Sequence, residues 1–233
     1  MKFFGGKGKT FQQLINLMPP HEVYIETHLG GGSVIRNKRL AKRNIGIEID
    51  PKVFQIWSEE EKRPELELIQ ADAVLFLKTY QFTGNEMVYC DPPYLRETRR
   101  NRNRKYYRYE YCVEQHLELL EVIKTIQCMV MISGYESELY KEILTGWHIH
   151  TFDSAVRGGV NTEWVWMNYP EPIELHDYRF LGNNFRERER LKRRKENWVS
   201  RLQCMAVLER QALLCAMQSV NGVINDGDFA SNR

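Results

Sequence analysis

Residues 89–94 of this 233-residue chain read Tyr-Cys-Asp-Pro-Pro-Tyr, with the apolar pair Met87-Val88 just before them. A short apolar run that ends in a carboxylate, two prolines and an aromatic describes a strand that stops abruptly, with polar chemistry at its carboxyl end. Each proline lacks the N–H a sheet ladder needs and forces the preceding residue into extended geometry. Asp91-Pro92-Pro93-Tyr94 is therefore a stiff array of carbonyls beside one carboxylate. Asp91 and the Pro92 carbonyl can accept the two hydrogens of an exocyclic amine while Tyr94 offers a flat face to a planar ring. Alkylation of an amine on a nucleobase needs those groups.

Other residues of chemical interest fall at the ends of neighbouring segments. Leu29-Gly30-Gly31-Gly32 lies between a first strand and a first helix, where ligands approach backbone N–H groups closely. Neither G-x-x-x-x-G-K-[ST] nor G-x-G-x-x-G is present, so the turn has little phosphate capacity. Glu48, with Asp50 two residues on, ends a second strand, and Asp72 ends a third. A carboxylate at the second position can accept from ribose hydroxyls, and one at the third from an adenine amino group. A ligand with a ribose, an adenine and a cationic centre but no phosphate fits these features, and S-adenosylmethionine is such a ligand.

The elements that must position these residues alternate. Strands are expected at Val23–Glu26, Ile45–Ile49, Glu67–Gln70 and Met87–Cys90. Helical stretches are expected through about Lys42, over 52–60 after Pro51, and over 73–79. Beyond the fourth strand come a helix over 113–126, an apolar strand at Cys128–Ile132 and a helix over 136–145 stopped by Gly146. His148–Phe152 and Trp164–Met167 then read as a terminal hairpin. Strand–helix alternation with short connections implies an α/β fold with a doubly wound, mostly parallel sheet. Ligands of such sheets bind at the carboxyl ends of the strands. Residues 1–176 form this catalytic domain. Residues 177–218 read as an appended helical hairpin or long helix, and 219–233 as a disordered tail.

Composition narrows the class. The chain is 42% hydrophobic with a net charge of only +2, so no global field announces a polyanion partner. Lys and Arg instead crowd into 96–108 and 186–195, and localised patches matter more for nucleic-acid binding than the sum. Five scattered cysteines show no C-x-x-C pair and no nearby His, which suggests reduced thiols, no metal site and a cytoplasmic location. No apolar run has the length of a membrane span, and no signal peptide is expected.

Taken in order, these motifs resemble those of the Dam-like (D12 class) DNA adenine-N6 methyltransferases, over most of residues 1–170. Phe3-Phe4-Gly5-Gly6-Lys7 resembles the family's N-terminal segment, which implies that Phe3, Phe4 and Lys7 line the cofactor pocket. Tyr24–Val34 resembles its glycine motif, which brings in Glu26, His28, Gly30 and Gly32. Gly46–Pro51 resembles its ribose motif, with Glu48 and Ile49, and Gln70-Ala71-Asp72 its adenine-ring motif, with Asp72 and neighbouring Ala73. Met87–Tyr94 resembles its catalytic motif, which implies a Rossmann-like methyltransferase with Asp91, Pro92 and Tyr94 as catalytic residues and Asp91 also at the cofactor. Two departures stand out. Thr27-His28 replaces a usual Pro-Phe pair, leaving His28 as either a cofactor wall or a packed core residue. Fewer than twenty residues separate Asp72 from Asp91, where sequence-specific relatives carry a long recognition insert.

The implied reaction is methyl transfer to adenine N6, a poor nucleophile because its lone pair is delocalised. Accepting both amine hydrogens directs that lone pair at the methyl group, and fixed acceptors in a dry pocket stabilise the arriving charge. A base inside duplex DNA must be flipped out to reach such a site, with Tyr94 stacking on it. The segment after the catalytic turn supplies a nucleic-acid surface: Arg96, Arg99, Arg100, Arg102, Arg104, Lys105 and Arg108 for phosphates, interleaved with Tyr106 and Tyr107 for stacking. This loop, 95–111, is expected to overhang the site, mobile until nucleic acid binds. Specificity should be short or relaxed without the insert. In the second basic run, Lys192-Arg193-Arg194-Lys195 is the stretch suited to phosphate, and the rest suits a salt-bridged solvated face. The alternatives are an adenine-N6 methyltransferase of ribosomal RNA, or a catalytically silent, cofactor-sensing nucleic-acid binder. The oligomeric state is not fixed by any feature of the sequence.

Overall fold

The computed structural model describes residues 7–224 apart from 9, 157 and 158, and the chain divides into two compact units after Phe180. The first unit runs α1 (Phe11–Ile15), β1 (Val23–Glu26), α2 (Ser33–Asn37), β2 (Arg43–Glu48), α3 (Pro51–Glu60), β3 (Leu66–Gln70), α4 (Ala73–Thr79) and β4 (Glu86–Cys90). It continues with α5 (Val113–Thr125), β5 (Met129–Gly134), α6 (Glu138–Ile143), β6 (His148–Val156) and β7 (Gly159–Met167). The seven strands form one sheet in the order β3-β2-β1-β4-β5-β7-β6. The first five are parallel, and β7 enters antiparallel between β5 and β6. The doubly wound, mostly parallel sheet expected from the alternation is present.

Two-residue periodicity sorts the central strands onto two cores. Ile25, Val88, Cys90, Val130 and Ile132 face one cluster, with Val74, Leu77, Leu119, Leu120 and Ile123 of α4 and α5. Tyr24, Met87, Tyr89 and Met131 face the other, with Leu14, Val34, Ile35 and Trp57 of α1, α2 and α3. The strand order reverses around β1 and β4, so the carboxyl ends of these two strands flank the crevice where such sheets take ligands.

Local chemistry sets the helix starts nearest that crevice. Asp50 caps α3, accepting from Lys52 N at 2.9 Å, and Pro51 occupies the first turn where its missing N–H costs nothing. Asp72 caps α4 in the same way, accepting from Leu75 N at 2.9 Å. Three expectations need correction. The helix after the glycine turn, α2, ends at Asn37 instead of continuing to Lys42. Lys38 turns extended, its ammonium lies 4.2 Å over the Tyr24 ring, and Arg39 N donates to Asp177 Oδ2 at 2.8 Å. The terminal hairpin is longer than the two short strands expected, because residues 153–156 and 159–163 also pair, although only one end of β7 is buried. Finally, 219–224 are helical and not part of a tail.

The second unit contains α7 (Phe185–Cys204) and α8 (Val207–Ile224). The helix α8 continues through Asn221 and Gly222 to Ile224, and residues 225–233 of the expected tail lie outside the described residues. Asn184 caps α7, accepting from Glu187 N at 3.0 Å. No residue of α7 is buried, and Arg190 pairs with Glu187 at 3.5 Å. The cationic groove along this helix is lined by Arg186, Arg190, Arg193, Arg194 and Arg201 beside Trp198. Lys192 and Lys195, expected among the phosphate contacts, lie off it.

Candidate active site

At the exit of β4 the Asp91-Pro92-Pro93-Tyr94 turn meets a buried charge cluster. Asp91 Oδ1 accepts from Ser133 Oγ at 2.8 Å and lies 3.0 Å from Lys7 Nζ. Among the described residues Asp91 Oδ2 has no hydrogen-bond partner. Lys7 Nζ also lies 3.2 Å from Glu163 Oε2 on β7 and donates to the Tyr94 hydroxyl, which in turn donates to Glu163 Oε2 at 3.3 Å. Ser133 sits at the same edge because β5 is the parallel neighbour of β4, and its hydroxyl also meets Tyr89 Oη at 3.0 Å.

Burial pushes the Asp91 carboxyl above its ordinary pKa, Lys7 opposes that push, and Glu163 adds to it. Burial alone would lower Lys7, but Asp91 and Glu163 outweigh it and raise the ammonium well above its usual value. Burial also keeps the Tyr94 phenol neutral, with a pKa well above 10, so it is no general base. One edge-to-face contact with Tyr135 (4.6 Å between ring centroids) and the Lys7 ammonium (4.5 Å from the centroid) fix the Tyr94 ring.

Beside this cluster a cavity of about 280 Å³ opens at the strand ends. Of the residues expected at a cofactor, His28, Gly30, Glu48, Ile49, Asp72, Ala73 and Asp91 line it. Phe3 and Phe4 lie outside the described residues. Lys7 is not on the wall, because its ammonium is drawn to the carboxylates behind it. Glu26 is also absent from the wall. It shares a face of β1 with Tyr24, so it turns under α2 and accepts from Tyr24 Oη and Ile35 N, both at 3.0 Å. There burial pushes its pKa up to about 8. Gly32 serves packing instead: its φ is +59°, and a Cβ would stand 2.2 Å from Trp57 Cζ2.

Glu48 holds the cavity's shape. Its Oε2 accepts from Gly30 N and its Oε1 from Asp50 N, each at 2.8 Å, so one carboxylate joins the β1–α2 and β2–α3 turns. Trp57 Nε1 braces the first of these turns from beneath, donating to Gly30 O at 2.8 Å. Gly30 has φ +46° and open space where a Cβ would project, so a ligand can approach its backbone. His28 is a wall residue with both ring nitrogens engaged, by Thr27 Oγ1 at 2.8 Å and Tyr111 Oη at 3.0 Å; burial lowers its pKa to about 3 and keeps it neutral. Carboxylate acceptors, small apolar walls at Ile49, Val53, Ala71 and Ala73, and no phosphate cradle make a donor and acceptor set that fits S-adenosylmethionine.

The basic segment behaves differently from its expected role. Arg99 is 7% exposed, donates to Tyr94 O at 2.7 Å and forms a two-pronged pair with Glu110 at 3.0 and 2.6 Å. It is a structural arginine, not a phosphate contact. Glu110 also accepts from Tyr106 N at 2.7 Å and Tyr107 N at 3.0 Å. Burial would raise its pKa, but Arg99 and these N–H groups hold it below the ordinary carboxylate range. So organised, Tyr106, Tyr107, Tyr109 and Tyr111 face the cavity, and Arg108 reaches across it to Asp50 Oδ1 at 3.3 Å. Arg100 donates to Val160 O at 3.0 Å from an exposed position. Arg96, Arg102, Arg104 and Lys105 are exposed.

Sequence reasoning missed Glu163, Ser133 and the wall residue Val53, and did not place Thr27, Pro93 or Tyr109 on the cavity wall. Ser133 carried a usable signal as a polar residue closing an apolar strand at the β4 edge. Among the described residues no group of three or more His, Cys, Asp or Glu could hold a metal ion, and no helix is long and apolar enough to cross a membrane.

A Rossmann-like sheet with this motif array defines the class: an S-adenosylmethionine-dependent methyltransferase. More particularly, the family model of the D12 class N6 adenine-specific DNA methyltransferases matches residues 49–156, which include the Asp91–Tyr94 turn and the basic segment. The resemblance read from the motifs is thereby borne out. Among curated proteins nothing matches the chain. Similar solved structures include TrmK of M. capricolum in complex with S-adenosyl-homocysteine (10% identity, 93% of this chain and 97% of that one, TM-score 0.45). Others are magnesium protoporphyrin IX methyltransferase of Synechocystis PCC 6803 with bound SAM (14%, 70% and 79%, 0.46) and a dimethyladenosine transferase of Plasmodium falciparum (12%, 67% and 59%, 0.43).

Proposed function

We propose that this methyltransferase acts on adenine N6 in DNA, on a base turned out of the duplex. The observation that carries the reading is the asymmetry of Asp91: Oδ1 is held by Ser133 and Lys7, while Oδ2 is left for a substrate hydrogen at the cavity's edge. Glu48 would hold the cofactor's ribose, Asp72 its adenine amine, and Gly30 would lie against it. Bound S-adenosylmethionine supplies an electrophilic methyl group. Asp91 Oδ2 accepts one amine hydrogen and the Pro92 carbonyl the other, so the nitrogen lone pair points away from the ring plane. These acceptors are fixed before the substrate arrives, which is where most of the stabilisation resides. Tyr94 offers its ring to the extruded base. Exposed Arg96, Arg100, Arg102, Arg104 and Lys105 serve the phosphate backbone, and the five thiols, all free of disulfides where described, suit a reducing cytoplasm.

The test is methyl transfer from labelled S-adenosylmethionine to unmethylated duplex DNA, with RNA alongside and nucleoside mass spectrometry as the readout. N6-methyladenine in DNA, abolished by Asp91→Ala while cofactor binding persists, is the expected result. Label in RNA alone would move the activity to an RNA substrate. Label in neither, with cofactor bound, would favour a silent binder.

A further inference from the structure

We propose that Glu163 is a positioning residue for Asp91, acting through Lys7 and the Tyr94 hydroxyl to keep Asp91 Oδ2 open for a substrate hydrogen. This rests on the reading of Asp91 as the amine acceptor and goes further by assigning what controls that acceptor. An ammonium has three hydrogens to place. Lys7 directs its own at Asp91 Oδ1, Glu163 Oε2 and the Tyr94 hydroxyl, so its donors are fully committed. Without Glu163, a lysine facing a single carboxylate is free to slide across both oxygens and cover Oδ2. A buried structural pair needs one carboxylate for one ammonium. Here two carboxylates share one, and the second adds desolvation cost with no added pairing. That surplus charge falls on Asp91, making it a stronger hydrogen-bond acceptor.

The other titratable groups around Asp91 do not compete for this role. Tyr89 and Tyr94 are raised well above 10 by burial, and Tyr107 is pushed up to about 12. Glu26, at the end of β1, is pushed up to about 8 and carries a proton at neutral pH. Lys7 and Glu163 are therefore the charges that set the state of Asp91. Tyr135, directly after β5, ties the arrangement to the same hairpin, since Asn161 Nδ2 of β7 donates to its hydroxyl at 3.1 Å while its ring braces Tyr94.

The experiment compares Glu163→Gln and Glu163→Asp with the intact chain by the ¹³C carboxyl titration of Asp91, assigned with Asp91→Asn, and by kcat, KM and cofactor Kd. In Glu163→Gln the neighbouring negative charge is gone, so Asp91 should ionise about one pH unit lower. The acid limb of kcat should move down with it, and kcat should fall about 10–100-fold as Lys7 covers Oδ2. Cofactor Kd should stay within about twofold, and Glu163→Asp should restore both the titration and most of kcat. An unmoved Asp91 titration in Glu163→Gln would overturn the proposal. So would a kcat loss that tracks a lower melting temperature and weaker cofactor binding, without rescue by Asp. The titration needs no turnover, so a shifted Asp91 in a protein that methylates no nucleic acid would uphold Glu163 and refute the proposed function.

Discussion

Glu48→Gln isolates what one carboxylate contributes to both the fold and the cavity. The native side chain accepts from Gly30 N through one oxygen and from Asp50 N through the other, each at 2.8 Å. The substitution keeps the volume but puts an NH₂ where one oxygen stood, so a donor faces a backbone donor. A charge-assisted hydrogen bond of this kind is worth about 1.5–3 kcal/mol. The freed N–H borders the cavity and can reach water, which places the loss at the low end, about 2 kcal/mol. For a chain of this length that corresponds to a melting temperature lower by about 4–8 °C. Losing the carboxylate's further contact with a ribose hydroxyl should weaken the cofactor by a similar energy, about 10–100-fold in Kd. Thermal melting and calorimetric titration with S-adenosylmethionine read the two effects separately. A variant that melts normally would refute Glu48 as the clamp between the two turns. One that melts lower yet keeps its cofactor affinity would refute it as the ribose acceptor.

Further outcomes follow from other contacts. Gly32→Ala combines a left-handed backbone with a Cβ 2.2 Å from a Trp57 ring that is pinned to Gly30 O, and should cost about 2–5 kcal/mol in chemical denaturation. Arg99→Gln leaves Glu110 buried without its partner and should cost about 3–5 kcal/mol; limited proteolysis should then open the chain within 99–110. Burial holds His21 and His28 near 3, and His116 and His176 near 4, so all four stay neutral in the fold. The unfolded chain binds those protons below about 6.5. Their contribution is thus complete above that pH and is lost as pH falls toward 4 and then 3, at up to about 1.4 kcal/mol per pH unit for each ring. Urea midpoints at pH 7.5, 6 and 5 should fall in that order, and His116→Gln should flatten the decline.

The parallel half of the sheet was legible because each strand there carries its own apolar run, and the starts of α3 and α4 carry their own caps, Asp50 and Asp72. The same local logic located Glu48, Asp72 and Asp91. What it missed depends on contacts between distant residues. Lys7 meets Asp91 across the fold, and nothing near Lys7 distinguishes a wall residue from an ion-pair partner. Glu163 lies in a hairpin whose outer portion is largely exposed, so residues 153–163 showed no apolar alternation to mark a strand. Arg99 looks like its exposed neighbours, because a run of arginines gives no sign of which one finds a buried carboxylate. Glu26 was placed at the right strand end but on the wrong face, an error that one residue of β1 register decides.

The segment held by Glu110 has a thermodynamic consequence. Between Arg96 and Tyr111 the chain presents exposed cations on its outside and a row of tyrosines to the cavity, and Glu110 joins buried Arg99 to the backbone of Tyr106 and Tyr107 within that one segment. Any ligand that steadies the outer side lowers the conformational cost of forming the inner wall, and the reverse holds to the same degree. On the proposed function, nucleic acid and cofactor would therefore each raise the other's affinity by an equal factor. Product release would be eased once either one departs, with Glu110 as the point through which that linkage passes.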